Sequence, residues 1–180
     1  MRLRIAGLAA WLGVAALALV PANQALNSGD VGPVNGWLLS AMSVAWLIAI
    51  LLMSAHQARF RRLASWLAAV IPSAGFALTP VVLFFAAGQT VLIAGVTILV
   101  GAVGVAVFAL TAFWIGAFSR PAMATLAGAI ALAAAAVALN PNRPGIAAVF
   151  VLAFAVGWIP VGVDAYRRGG RESALGEARV

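Results

Sequence analysis

The chain has 180 residues, 65% of them hydrophobic and 8% charged, with a mean hydropathy of +1.11. Soluble domains have about 45–50% apolar and about 25% charged residues, and a fold of this length has too little interior to hide such an excess, so an ordinary soluble domain is excluded. A net charge of +7 and a pI near 11.9 would suggest nucleic acid in a soluble protein; here the arginines flank apolar segments, and we expect the lipid bilayer as partner and no nucleic acid. With no cysteine there is no disulfide and no thiolate chemistry.

A bilayer core about 30 Å thick needs about 20 apolar residues per helix, and the chain offers six such segments, at 5–22, 35–55, 63–87, 90–118, 122–139 and 145–166. Lone strands are excluded because lipid cannot satisfy their backbone groups. The first segment, "MRLR" followed by an apolar run and "VPA", resembles a signal peptide cleaved after Ala22. It also fits the repeat described below, and we expect it to be retained as a span. A polar loop, "PANQALNSGDVGPVNG" (21–36), leads to the second segment, whose bulky residues predict a lipid-facing helix. "HQARFRR" (56–62) then packs the sole histidine and three arginines between two apolar runs.

In the third segment, "PSAGFALTP" (72–80) has prolines at both ends and Gly75 between them. Each proline removes a backbone donor and disturbs an i−4 bond. Broken helices at mid-membrane form substrate sites in some transporters, so Pro72, Ser73, Gly75, Thr79 and Pro80 are a candidate solute site. The plainer reading is a kinked helix satisfied by its neighbours. After the connector "AAGQT" (86–90), the fourth segment carries Gly95, Thr97, Gly101 and Gly104, residues that permit close helix approach. The fifth, "TLAGAIALAAAAVAL" (125–139), is small on almost every side and predicts a helix surrounded by others. A turn, "NPNRPG" (140–145), precedes the sixth. There Asp164 is the one acid within a span, and Arg168 lies four residues on, a helical neighbour able to pair with it. A boundary ion pair is the simpler reading, a coupling carboxylate the sharper one. Residues 167–180 read as a short basic tail after a single transmembrane domain, 1–166.

With six spans, Arg2, Arg4, Arg59, Arg61, Arg62, Arg120, Arg167, Arg168, Arg171 and Arg179 share one side, and Arg143 stands alone on the other with Asp30. Basic residues near span ends stay in the cytoplasm, so "HQARFRR" reads as an orientation signal. The expected fold class is therefore all-α: a polytopic bundle of six transmembrane helices, both termini cytoplasmic, in a cell's inner (plasma) membrane. Trp37, Trp66, Trp114 and Tyr166 fall near the expected interfaces, whereas Trp11, Trp46 and Trp158 sit deeper, as packing residues. Arg4, Arg62 and Arg120 are 58 residues apart, each before a rising helix, so the six spans read as three hairpins in one orientation.

Chemistry is sparse. His56 has no second histidine, no cysteine and no nearby acid, which disfavours a metal site and leaves a general base without a partner. Ser40 and Ser73 lie within spans, but the histidine is at the surface. We expect no catalytic residue, metal or cofactor.

The last hairpin, "LAGAIALAAAAVALNPNRPGIAAVFVLAFAVGWIPVGVDAYRR" (126–168), joins a small-residue helix, an Asn-Pro turn, a helix with spaced Gly and terminal Arg. In this and in its three-hairpin plan the chain resembles the small six-helix HdeD-like membrane proteins, associated with acid resistance in bacteria. The first two hairpins lack the Asn-Pro turn, and loop 21–36 is longer than that pattern. The family offers no catalytic motif, so no residue role transfers. The resemblance implies a bacterial inner-membrane protein of stress-related function. Together the features suggest a non-enzymatic structural or accessory subunit, with a membrane-protein partner or a second copy beside it; the alternative is a small-solute binding or transport component.

Overall fold

The structure, a computed structural model, describes residues 1–26, 33–85, 90–139 and 146–177. Residues 27–32 with Asp30, the "AAGQT" connector up to Gln89, the Asn-Pro turn with Arg143, and Arg179 lie outside the described residues; the flanks read as loop, 21–26 and 33–36, are helical and extend α1 and α2. Among the described residues six helices form: α1 (Arg2–Leu26), α2 (Pro33–Gln57), α3 (Arg62–Phe85), α4 (Thr90–Ile115), α5 (Arg120–Leu139) and α6 (Ile146–Glu177). Among the described residues there is no strand. Three stretches, Arg2–Asn23, Val34–Gln57 and Arg62–Leu83, are long and apolar enough to cross a membrane.

The 58-residue spacing marks helix starts. α3 and α5 begin at Arg62 and Arg120, and Arg4 is in the first turn of α1. Cations there oppose the helix macrodipole, so local helix preference does not explain them. "HQARFRR" folds as the tight turn between α2 and α3. The amides of Phe60 and Arg61 donate to the Gln57 carbonyl at 2.8 and 3.2 Å, and Ser65 Oγ donates to the Arg61 carbonyl at 2.7 Å. At the same end, α4 stops at Gly116, whose φ of 72° lies in the left-handed region that glycine enters without penalty.

Each helix packs on its neighbours in the chain, and α6 returns to pack on α1, so the bundle is a closed ring. The α4–α5 seam is the thinnest of these contacts. The centre is filled by Trp46 of α2. Its indole stacks on Trp158 of α6 with ring centres 5.5 Å apart at 12°, and also meets Phe154 and Phe76 at 4.8 and 5.6 Å. Its Nε1 donates to the Ala10 carbonyl of α1 at 3.2 Å, and Gly13 leaves room for the ring. One side chain thus touches α1, α3 and α6. Phe76 carries the contact on to Gly101 of α4. In lipid, such packing holds helices by dispersion and close fit, because apolar burial alone gives no drive for association.

The ring corrects two expectations. α2 is exposed on one side only: Met42, Trp46, Ala49, Ile50 and Met53 are fully buried, whereas Trp37, Val44, Ile48 and Leu51 are exposed. α5 is not surrounded: Met123, Leu126 and Ile130 face inward while Ala124, Ala131 and Leu132 are exposed. A ring gives every helix one inner and one outer face. Small side chains permit close approach without requiring it on all sides. α6 also runs unbroken through Arg167 to Glu177, so the segment read as a tail is two to three further helical turns.

Candidate functional site

The stretch 72–80 was the first candidate. α3 passes through Pro72 and Pro80 as one helix, and its face with Pro72, Gly75 and Thr79 is occupied by α4. Gly104 lies directly against Pro72, and Gly75 against the backbone of Gly101. A Cβ at Gly75 or Gly104 would collide with the facing backbone, and one at Gly101 would press on the Phe76 ring. Thr79 Oγ1 donates to the Gly75 carbonyl at 2.9 Å and lies 3.2 Å from Thr97 Oγ1. Three of the five residues therefore form a helix–helix seam. Ser73 Oγ is buried without a hydrogen-bond partner among the described residues, and Pro80 is half-buried.

The charged groups gather at the other candidate, the end of the bundle where α2 and α4 stop and α6 runs on. Arg168 Nε donates to Asp164 Oδ2 at 3.0 Å, and the Ser119 amide, just before α5, donates to the same oxygen at 2.7 Å. The Asp164 carboxylate therefore ties the α4–α5 turn to α6 as well as pairing with Arg168. Two turns further along α6, Glu172 Oε1 approaches His56 Nδ1 at 3.4 Å and Arg59 at 3.6 Å. His56 thus has a nearby acid, contrary to the sequence reading. That reading ended the span at Tyr166 and carried the helical count only to Arg168, so Glu172 was never placed on a face. Continuing the helical count would have found it, since residues 164, 168 and 172 recur at i, i+4 and i+8 along one stripe. The His56 ring also meets Phe60 and Phe118, at 5.9 and 5.8 Å.

Between the end of α2 and this stripe of α6 lies an open cleft of about 440 Å³. His56 walls it from α2 and Phe60 from the turn that follows; Asp164, Arg168 and Glu172 from α6; and Arg167 and Arg171 complete the lining. A histidine beside a carboxylate is half of a general-base arrangement, but no group of three or more His, Cys, Asp or Glu able to hold a metal occurs among the described residues. A second cleft of about 600 Å³ lies at the same end between Arg61, Ala64 and the Leu110–Ile115 turn of α4. A third, of about 700 Å³, runs between α1 and α2 and is almost wholly apolar, with Leu12, Leu19, Val44 and Ile48 at its walls. Such a lining suits hydrocarbon.

No protein-family model, curated protein or solved structure matches this chain. The site is therefore read from its chemistry alone.

Proposed function

We propose that the chain is a non-enzymatic, six-span protein of a bacterial inner membrane, both termini cytoplasmic, serving as a structural, stress-related or accessory subunit of a membrane complex. One observation carries this reading. The axis of the ring, where a translocation path or an intramembrane active site would lie, is filled by Trp46, Trp158, Phe76 and Phe154. Transport chemistry needs polar or ionisable groups facing the bundle interior. Here every charged side chain described lies at one end of the helices. The likeness of the last hairpin to HdeD-like proteins agrees with a stress-related role.

The test is native mass in nanodiscs, on protein drawn from its own membranes. An assembly containing a distinct second chain is expected, and identifying that chain names the process. A lone species of 18.3 kDa that binds a small solute tightly and specifically would overturn the proposal in favour of solute binding at Ser73.

A further inference from the structure

The cleft between α2 and α6 has a charge imbalance that its own residues do not resolve. Both of its carboxylates are engaged, Asp164 by Arg168 and the Ser119 amide, Glu172 by Arg59 and His56. Arg167 and Arg171 also line it, and neither has an ion-pair partner among the described residues. Four residues apart on α6, they stand about 6 Å apart along the axis, one above the other on one face. Two guanidinium forks at that spacing suit the oxygens of one phosphate, which arginine binds in bidentate fashion. Phe60, on the opposite wall, is 62% exposed. A free phosphate has no use for an aromatic wall, whereas a phospholipid presents apolar glycerol and acyl carbons beside its headgroup.

We propose that this cleft binds the phosphate of an anionic phospholipid, with Arg167 and Arg171 holding the phosphate and Phe60 meeting the adjoining carbons. The cleft lies where the helices leave the apolar layer, at the depth of lipid headgroups, and basic pockets between helix ends are the usual receptors for such headgroups. The volume of about 440 Å³ is in the range of small-ligand sites. The proposal uses the membrane placement of the helices and does not depend on an accessory role.

The experiment compares the full chain in nanodiscs of phosphatidylcholine alone and with phosphatidylglycerol added. It reads lipid adducts by native mass spectrometry and the thermal midpoint. Retention of phosphatidylglycerol with a raised midpoint is expected. The double variant Arg167→Gln/Arg171→Gln should lose the adduct by about tenfold or more, and Arg2→Gln/Arg62→Gln, with the same change in net charge at the same end, should keep it. Equal loss in both pairs would mean diffuse surface attraction and would overturn the site, as would no loss in either. Inorganic phosphate at millimolar concentration is the third arm. If it raises the midpoint in phosphatidylcholine discs through Arg167 and Arg171, the source is soluble phosphate and the lipid assignment fails. The midpoint of the double variant in phosphatidylcholine alone reports its folding, and Arg171→Gln alone is read in the same way if the pair does not fold.

Discussion

Gly104 and Gly128 are both helical glycines in a membrane bundle, yet they carry opposite consequences. A Cβ on Gly104 would run into Pro72, including its backbone nitrogen, whereas nothing lies within 4 Å of one on Gly128. Backbone cannot move aside as a flexible side chain can. Gly104→Leu should therefore destabilise the bundle by about 1–3 kcal/mol or more through overpacking. Gly128→Ala should be neutral or raise stability by about 0.5–1 kcal/mol through helix preference alone. Thermal unfolding in one detergent compares them, and equal effects would mean that α3 and α4 do not meet as described. The composition of α4 gave its glycines a packing role, but sequence alone could not say which residue each would meet. Trp46 is the converse case: its depth in the span was legible, but its place at the junction of α1, α3 and α6 was not. Depth follows from distance to the polar flanks, while the centre of a ring depends on where five other helices stand.

Among the elements, α6 differs most from expectation. Its apolar part was plain from hydropathy. Its last turns were not: the helical count ran only from Asp164 to Arg168, and the basic residues from Arg167 onward were read as a tail. The backbone has no reason to stop there: the residues after Tyr166 stay helical to Glu177, and two of them are fastened to neighbours. Gly169 lies against Arg4, whose guanidinium sits over the Tyr166 ring at 5.7 Å, and Glu172 reaches His56 and Arg59. Exposed ion pairs are worth about 0–1 kcal/mol. Glu172→Gln should accordingly leave the global melting midpoint almost unchanged while the amides after Gly170 exchange faster, as hydrogen exchange can measure. A large drop in the midpoint would show instead that the extension holds the bundle together.

For the whole molecule, the outer surface is the telling feature. Leu12, Leu19, Val70, Leu99, Leu132, Leu152 and Val156 are all exposed, a continuous apolar girdle that water would not tolerate. The nine arginines among the described residues sit beyond one rim of it. The native chain lacks cysteine, so a single introduced thiol reports its own location without background. Ala58→Cys should react with a membrane-impermeant maleimide only from the cytoplasmic face, and Ser28→Cys only from the other. Reaction of both from one side would refute the proposed orientation. The all-helical architecture and its apolar stretches were readable because lipid imposes so strong a sorting of residues by depth. The order of helices around the ring was not, since the sorting is blind to rotation about the membrane normal.

Closure of that ring has a consequence in time. α1 packs on α2 and on α6, and 119 residues separate Leu26 from Ile146. At translation rates of about 5–20 residues per second, the first helix waits on the order of ten seconds for its second neighbour to be made. Through that interval Gly7 and Trp11, the residues that meet Tyr166 and Gly162 in the finished ring, face only lipid or whatever insertion machinery shelters them. The arrival of α6 thus decides whether α1 is buried or left open to capture by quality control.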